Sequence, residues 1–408
     1  MAVVGYIKRK NMLDVISCIR KGPVVTKTEI VKKTGLTMGT INTFVDELKA
    51  TGLVTESGIA LSTGGRKSVL YSFNPQSFYM VGVSITLTDT SIGLFDYSLT
   101  RLDSVTIGHI TDGHGIEKEI NVIYSSINGL LYKNQIPADK VAGIGVSVPG
   151  LVNYNKGVII ELPHIPAWKN VPLAQILHEN TGIHALVDNN NNCNALALKW
   201  NDSRYDHRNM IFLSTIEGIG IGIIINGDIY RGSRHLAGEI GHITVNPSGA
   251  ECACGSKGCI ELYAANPEIC KTAQENLGSN KKSELYRLCG GKPFDMQMLT
   301  KAAKTGDTFA LQVLEDSVFY ISLCVENVIK TYDPDCVVLN TLWLDGFPDL
   351  KAKMIDGIFA RTEFIRRDEM QIALCDDESL YLRAAANLVL DNDLRLENPE
   401  GILHRLCL

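Results

Sequence analysis

One histidine and three cysteines lie close together past the middle of the chain, a combination that binds metal ions. They occur as His-x9-Cys-x-Cys-x4-Cys within 18 residues: His242, Cys252, Cys254 and Cys259. One imidazole and three thiolates satisfy tetrahedral Zn²⁺ and leave no coordination position open, so the pattern predicts a structural rather than a catalytic zinc ion. The alternative is a reduced thiol cluster without metal.

Two glutamates flank this segment. Glu239 lies three residues before His242, and Glu261 lies two residues after Cys259. If a metal ion fixes the loop, both carboxylates are held in place and can accept hydrogen bonds from neighbouring hydroxyls of one small ligand. A sugar is such a ligand, so we expect the two glutamates to bind a sugar. The alternative is a pair of solvated surface carboxylates.

The stretch DNNNNCNALAL, residues 188–198, places five asparagines directly after the apolar run HALV. An amide can hydrogen-bond a hydroxyl, but it has no usable pKa near neutrality and cannot act as a general base. The stretch is therefore suited to binding a hydroxyl and unsuited to taking its proton. We interpret Asn191, Asn192 and Asn194 as residues that cap the following helix.

Charge is unevenly distributed along the 408 residues. Residues 1–73 hold eleven Lys and Arg against five Asp and Glu, a net charge of +6, which leaves −12 for the rest of the chain. A basic head on an acidic body indicates that the head binds a polyanion. The alternative is a solvated lysine-rich face.

The bulk composition indicates a soluble, cytoplasmic protein of two or three domains. No apolar run approaches the roughly 20 residues that a membrane helix needs, and the start MAVVGYIKRKNMLD carries charges where a signal peptide needs apolar residues. We therefore expect no membrane insertion. The eleven cysteines are odd in number and scattered, which is not the pattern of a disulfide framework.

The basic head predicts a winged helix-turn-helix over residues 1–75. Helical patterns at MLDVISCIRK, TKTEIVKKTG and TMGTINTFVDELKATG are followed by two apolar strands around STGGRK. The third helix would enter the major groove of DNA. Expected DNA contacts are Thr37, Thr40 and Thr43 on base edges, Lys27, Lys32 and Lys33 on phosphates, and Arg66 and Lys67 on the wing. The alternative is a protein-interaction module.

Alternating strands and helices after residue 76 predict a two-lobed α/β body. Buried-strand candidates include YMVGVSI, VAGIGVSVPG and DPDCVVLN, and helical segments separate them. We place the first lobe at residues 76–190, completed by about 376–395, and the second lobe at residues 191–375. Ligands in such folds bind at the carboxyl ends of strands, often between lobes.

These residues resemble the ROK family, which groups sugar-responsive repressors with sugar kinases. The likeness rests on LAGEIGH, CACGSKGCIE, IEGIGIGIIINGDIYRG, SVPG, LPHIPAW and the winged helix, and it covers almost the whole chain. The resemblance implies a hexokinase-like, actin-type (ribonuclease H-like) fold and a homodimer or tetramer. It also implies sugar contacts from Asn189, Asn190, Glu239, His242 and Glu261.

The chain departs from the kinases of the family at each position that catalysis needs. The family's Asn-Asp pair, whose aspartate is the general base, reads Asn189-Asn190 here. The first phosphate loop reads Ser84–Thr88 without its glycines, the second is Ile216-Glu217-Gly218, and the adenosine segment is Asn340-Thr341-Leu342. Loss of the base, of close backbone approach and of charge complementarity predicts that ATP-dependent catalysis is absent.

We therefore expect a sugar-responsive transcriptional repressor that is not an enzyme. Its partners would be double-stranded operator DNA and a sugar effector bound between the lobes, xylose or a hexose derivative; His164, where the family often has asparagine, leaves the sugar open. The alternatives are an ATP-dependent sugar kinase and a regulator sequestered by a transporter or phosphocarrier protein. The tail, residues 396–408, would pack on a partner subunit or fray.

Overall fold

The computed structural model describes residues 2–60, 68–108, 115–162, 165, 167–205, 207–361, 366–375, 377, 380–398 and 401–408. The chain divides into two compact units. The first is Met1–Asp202 together with Ser379–Leu408, and the second is Ser203–Glu378.

The basic head forms three helices and a small antiparallel sheet. Its elements are α1 (Ala2–Arg20), β1 (Val25–Thr26), α2 (Lys27–Thr34), α3 (Met38–Ala50), β2 (Val54–Ile59) and β3 (Val69–Phe73). Helix α2 begins with a capping box of Thr26 and Glu29 and is followed by Gly35, whose φ of 71° forms a left-handed C-cap. The loop that would carry Arg66 and Lys67, residues 61–67, lies outside the described residues.

The first lobe is built on a five-stranded sheet in the order β11-β7-β4-β5-β6. Strands β4, β5 and β6 are antiparallel in succession, and β7 and β11 run parallel to β4. The small strands β8, β9 and β10 form a separate sheet. The elements are β4 (Tyr79–Ile85), β5 (Asp89–Asp96), β6 (Arg101–Gly108), α4 (Gly115–Lys133), β7 (Val141–Val148), β8 (Leu151–Asn153), β9 (Val158–Glu161), β10 (Lys169–Val171), α5 (Leu173–Thr181), β11 (Ala185–Asn189) and α6 (Asn190–Asn201).

The second unit repeats this topology. Its sheet has the order β14-β13-β12-β15-β16, with three antiparallel strands followed by two parallel ones. The repeated order confirms the predicted actin-type, ribonuclease H-like class. The elements are β12 (Met210–Ser214), β13 (Gly220–Ile225), β14 (Asp228–Ile229), α7 (Glu261–Ala264), α8 (Asn266–Leu277), α9 (Glu284–Cys289), α10 (Met296–Lys304), α11 (Thr308–Tyr332), β15 (Cys336–Asn340), α12 (Pro348–Ala360) and β16 (Gln371–Leu374).

Helix α11 is, within the described part of the chain, the one helix long and apolar enough to cross a membrane. Its residues Leu314, Val318, Ile321 and Val325 are buried in the core of the second unit, together with the strands of that unit's sheet. The helix is therefore a core helix of an α/β fold.

The C-terminal residues return to the first unit and form α13 (Leu380–Asp393) and α14 (Ile402–Arg405). Ile402 and Leu403 are buried in one hydrophobic core that also contains Ile19 of α1 and Tyr97, directly after β5. The tail thus packs inside its own chain. Because this core is continuous, the head shares its interior with the first lobe instead of having a core of its own.

The end of the first lobe differs from the expected boundary at residue 190. Helix α6 lies in the first unit, which extends to Asp202. Asn201 Nδ2 on α6 donates to Asn387 Oδ1 on α13 at 3.1 Å, and Trp200 Nε1 donates to Asp391 Oδ1 at 3.0 Å. These polar contacts, together with apolar packing, attach α6 to α13.

Candidate functional site

The predicted metal ligands converge in the second unit. The Nδ1 or Nε2 atom of His242 and the Sγ atoms of Cys252, Cys254 and Cys259 all lie within 4.8 Å of one another. Cys254 Sγ is 3.6 Å from Cys259 Sγ, and Cys252 Sγ is 3.6 Å from His242 Nδ1. Zn–S bonds of about 2.3 Å and Zn–N bonds of about 2.0 Å in a tetrahedron would separate neighbouring ligand atoms by roughly 3.5–3.8 Å. The cluster has the donor set and spacing to bind a metal ion.

A compact loop brings the four ligands together. Short antiparallel bridges join Thr244 to Cys259 and Glu251 to Lys257. Gly258 has a φ of 62°, and a Cβ at this position would lie 1.7 Å from the carbonyl oxygen of Asn246. Only glycine fits there, because any side chain would collide with backbone. The glycine therefore permits the chain to double back so that Cys259 reaches the other ligands.

The LAGEIGH segment, residues 236–242, lies directly against the backbone of β13. A Cβ on Gly238 would be 2.3 Å from the Ile221 carbonyl oxygen, and a Cβ on Gly241 would be 2.3 Å from that of Ile219. The backbone N–H of Ile221 also donates to the Gly238 carbonyl at 3.0 Å. This close approach holds Glu239 next to the metal ligands.

His242 connects the cluster to Glu239. Its Nδ1 faces Cys252, while its Nε2 lies 4.0 Å from Glu239 Oε2. Burial raises the pKa of Glu239, the charge of Glu261 raises it further, and His242 opposes both. A histidine that ligates a metal through one nitrogen and faces a carboxylate with the other is the usual supporting arrangement of a metal site.

Glu261 is held by the loop before β13. Its Oε2 accepts a hydrogen bond from the backbone N–H of Ile219 at 3.0 Å. A Cβ on Gly218 would lie only 2.7 Å from the same oxygen, so the carboxylate lies against the backbone of that loop. Gly218 and Ile219 were not among the predicted site residues, although both belong to the glycine-rich run that carried the family resemblance.

Asn189 and Asn190 lie in the first unit, where β11 ends and α6 begins. Asn189 is the N-cap of α6: its Oδ1 accepts from the Asn191 N–H at 2.8 Å, and its Nδ2 donates to the Gly150 carbonyl at 3.0 Å. Asn190 is the first helical residue. The cap of α6 is therefore Asn189, while the side chain of Asn192 instead donates to Asp188 Oδ1 at 3.0 Å.

In the two loops that would approach phosphates, several backbone N–H groups are bound internally. In the β4–β5 turn, the Thr86 hydroxyl accepts from the N–H groups of Thr88 and Asp89, each at 3.2 Å. In the second loop, the Ile216 N–H donates to Ser214 Oγ at 3.4 Å and the Ile219 N–H donates to Glu261. Backbone donors that already have partners cannot cradle a phosphate without breaking those bonds.

The first two residues of the adenosine segment after β15 also have internal partners. Asn340 and Thr341 are buried, the Thr341 hydroxyl shares a hydrogen bond with that of Thr215 at 3.2 Å, and the Thr215 N–H donates to the Asn340 carbonyl. A cavity of about 490 Å³ lies nearby, lined in part by Ile216 and Phe294.

The predicted DNA contacts lie on helices α2 and α3 of the head. Lys32 and Lys33 are exposed, whereas Lys27 lies over the Tyr71 ring and 3.5 Å from Asp46 Oδ1. The hydroxyls of Thr37, Thr40 and Thr43 make hydrogen bonds within the helix. Arg66, Lys67 and His164 lie outside the described residues.

Comparison with known proteins places this geometry in a family. The chain is 27% identical to the xylose repressor of Bacillus spizizenii over 346 residues, 84% of this chain and 85% of the relative. It is 29% identical to the glucokinase of Thermotoga maritima over 262 residues, 64% of this chain and 81% of the relative.

A solved structure, a ROK family transcriptional regulator named as a homologue of the E. coli MLC protein, has the same fold. Its TM-score is 0.81 at 22% identity, and the match covers 98% of this chain and 99% of that one. The ROK family itself matches residues 80–342. The chain therefore belongs to the ROK family.

Proposed function

We propose that this protein is a sugar-responsive transcriptional repressor that has lost kinase activity. One observation carries the proposal: the carboxylates expected to bind a sugar are held beside a cluster able to bind a metal ion, while several N–H groups at the phosphate loops are bound within the protein. A chain built this way can recognise a sugar without transferring phosphate to it. The relative named xylose repressor supports the regulatory role.

The proposed sugar contacts are Glu239, His242 and Glu261 and, on the first unit, Asn189 and Asn190. The proposed metal is a structural Zn²⁺ held by His242, Cys252, Cys254 and Cys259, whose thiolates and imidazole are the ligands zinc prefers. With His242 Nδ1 on the metal, its Nε2–H would remain to donate to Glu239 or to a sugar hydroxyl.

The head would bind operator DNA as a winged helix-turn-helix. Lys27, Lys32, Lys33, Arg66 and Lys67 would contact phosphates in the proposed complex. Thr37, Thr40 and Thr43 lie where α3 would enter the major groove. A cytoplasmic homodimer or tetramer would bind a palindromic site, and the sugar would release it by binding the DNA-incompetent state more tightly. A coupling free energy of about 2–3 kcal/mol would give tens-fold to about a hundredfold relief.

Capture of sheared genomic DNA by the purified protein, with and without a panel of pentoses and hexoses, tests the proposal. We expect one palindrome to be enriched and one sugar to abolish that enrichment. If the palindrome is enriched but no sugar affects it, the effector is not a free sugar, and a transporter or phosphocarrier partner should then be sought by pull-down from lysate. Failure to enrich any sequence would refute the DNA-binding function.

The second candidate is an ATP-dependent sugar kinase with an appended regulatory head, which the similarity to a glucokinase favours. Release of ADP with the same sugar panel distinguishes it from the repressor. We expect no sugar-dependent ADP release, and none from the variant Asn190→Asp, because restoring the base does not free the phosphate-loop N–H groups.

A further inference from the structure

Four residues in the first two turns of α3 are exposed, and three of them are small or polar. Met38, Gly39, Asn42 and Thr43 are exposed there. The opposite face, with Ile41, Phe44, Val45 and Leu48, is buried in the core of the first unit. The four exposed residues are therefore the ones that a bound partner would meet first.

The threonine hydroxyls on this helix already have hydrogen-bond partners. Thr37 Oγ1 caps the helix by accepting from the Thr40 N–H at 3.2 Å and shares a hydrogen bond with Thr40 Oγ1 at 3.0 Å. The Thr43 hydroxyl donates to the Gly39 carbonyl at 3.2 Å. Asn42, by contrast, is an exposed amide with no side-chain bond to any other described residue, so both its donor and its acceptor are available.

Gly39 is a glycine that the fold does not require. It lies in the first turn of α3 with ordinary helical φ, and a Cβ built on it would meet only Thr37 Oγ1, at 3.9 Å. Gly35, four residues earlier, differs because its φ of 71° favours glycine. Glycine lowers the stability of a helix relative to alanine, so the free protein offers no structural reason for glycine at position 39.

We infer that Asn42 reads an adenine in the operator and that Gly39 lets the helix approach the DNA closely enough for it to do so. Gly39 and Asn42 are three residues apart and share one helix face. In the major groove, adenine presents an acceptor at N7 and a donor at N6, which match the amide donor and acceptor of asparagine in a bidentate pair. This inference rests on the proposed DNA-binding function and specifies which residue reads a base.

Selection from random double-stranded DNA tests the inference, using wild type, Asn42→Ala, Asn42→Gln and Gly39→Ala. We expect wild type to select a palindrome with one strongly preferred A·T pair in each half-site. Asn42→Ala should lose the preference at that pair alone, a drop in discrimination of roughly 5- to 150-fold for a lost bidentate contact. Asn42→Gln, which can form the same pair, should keep the preference with weaker binding.

Gly39→Ala separates a role in binding from a role in folding. Alanine should raise the melting temperature by roughly 1–3 °C, because helix propensity improves and the added methyl group meets open space, yet operator binding should weaken on the order of tenfold or more. Gly129→Ala is the matched control: Gly129 is also an exposed helical glycine, and a Cβ added to it would meet nothing within 4 Å, but it lies on α4 of the first lobe. It should raise stability without weakening binding.

Two results would overturn the inference while leaving the proposed function intact. One is an unchanged selected sequence with Asn42→Ala, and the other is unchanged operator affinity with Gly39→Ala. A wild-type protein that selects no sequence at all would instead refute the proposed DNA-binding function, and this inference with it.

Discussion

Glu261 Oε2 accepts a hydrogen bond from the backbone N–H of Ile219 at 3.0 Å, joining two segments that are 42 residues apart in the chain. Glu261 lies two residues after Cys259 of the cluster that can bind a metal ion, and Ile219 directly follows the proposed second phosphate loop, Ile216-Glu217-Gly218. One carboxylate oxygen is therefore bound to the backbone next to this loop. In the proposed function, the other oxygen would contact the sugar, so that one residue would act on both the sugar side and the phosphate side of the site.

Two substitutions of Glu261 should weaken sugar binding to different extents. Glu261→Gln keeps an oxygen for the Ile219 N–H but loses the charge, and we expect sugar affinity to fall about tenfold. Glu261→Ala loses both the oxygen and the charge. Its sugar affinity should fall on the order of a hundredfold, since hydrogen bonds to charged groups contribute about 1.5–3 kcal/mol. Calorimetric titration with the inducing sugar measures the effect. Operator affinity without sugar should be unchanged, and equal affinities in all three proteins would rule Glu261 out as a sugar ligand.

Gly218→Ala should reduce sugar affinity although it leaves Glu261 itself unchanged. The added Cβ would lie 2.7 Å from Glu261 Oε2, so the carboxylate must move. We expect a loss of several-fold in the same titration, because a shift of Oε2 also moves the other carboxylate oxygen, which would bind the sugar. Gly278→Ala is the control, because nothing lies within 4 Å of a Cβ at that position. A loss of the same size in both variants would argue against a specific role for Gly218.

The sequence predicted those parts of the site whose residues are neighbours in the chain. The spacing of His242, Cys252, Cys254 and Cys259 sufficed to predict a cluster that can bind metal, because a short loop with glycines can bring ligands together only in a few ways. The alternation of strands and helices sufficed to predict a two-lobed α/β body, whereas the actin-type class was implied by the family resemblance. The contact of Glu261 with Ile219 was not predictable, because it depends on how α7 packs beside β13.

The role of the C-terminal residues was also beyond sequence reasoning. The apolar pattern around Ile402 and Leu403 is too short to predict which part of the chain they pack against. Both residues are buried against Tyr97 and α1, some 300 residues or more away in the chain. The cap of α6 shows the same limit on a smaller scale. We expected the cap among Asn191, Asn192 and Asn194, but β11 ends at Asn189 and that residue is the cap.

Zinc removal should disorder the loop that holds both carboxylates. We expect elemental analysis to find one zinc ion per chain and Cys254→Ser to lose it, since a serine hydroxyl is a poor zinc ligand. Sugar affinity should fall in the same variant, while operator binding persists. Cys407→Ser, which changes an exposed cysteine outside the cluster, should retain the metal. Wild-type protein free of zinc would contradict the assignment of the metal.

Arg405 should contribute strongly to the stability of the first unit. Its guanidinium pairs with the buried carboxylate of Asp393, which also accepts a hydrogen bond from the Tyr97 hydroxyl. The same guanidinium lies 5.1 Å from the centre of the Phe78 ring. Arg405→Ala would leave Asp393 buried without its cation, at a cost of about 3–5 kcal/mol in the free energy of unfolding.

Chemical denaturation of Arg405→Ala and of Arg366→Ala measures this contribution. Arg366 pairs with Asp368 on the surface, where an ion pair contributes about 1 kcal/mol or less. The Arg405 variant should also bind the operator more weakly, because Tyr97 stacks on Phe73 of the head at 5.4 Å. Equal unfolding free energies for the two variants would show that the tail is dispensable.

Asp391 should make the stability of the first unit fall in acid. Burial pushes the pKa of this carboxyl up, but Arg395 and Lys199 together with the Trp200 indole N–H outweigh burial and hold it below its ordinary value of 3.8. A group whose folded-state pKa is depressed adds stability above its unfolded pKa and loses it as pH falls through the folded pKa. Asp391→Asn should therefore be less stable than wild type at pH 6, by about 1–3 kcal/mol for the lost charged hydrogen bonds.

The difference between wild type and Asp391→Asn should shrink as pH falls from about 5 toward 2, because protonation removes the same charge from wild type. Denaturation curves at several pH values measure it. The variant must be compared with wild type at each pH, since burial raises the pKa of neighbouring Asp393 and that group opposes the trend. Because its pKa is raised in the folded state, Asp393 stabilises the folded state most at low pH. Asp393 is present in both proteins, so its contribution cancels in the stability difference. A stability difference that stays constant across this range would mean that Asp391 does not titrate as an ion-paired carboxylate.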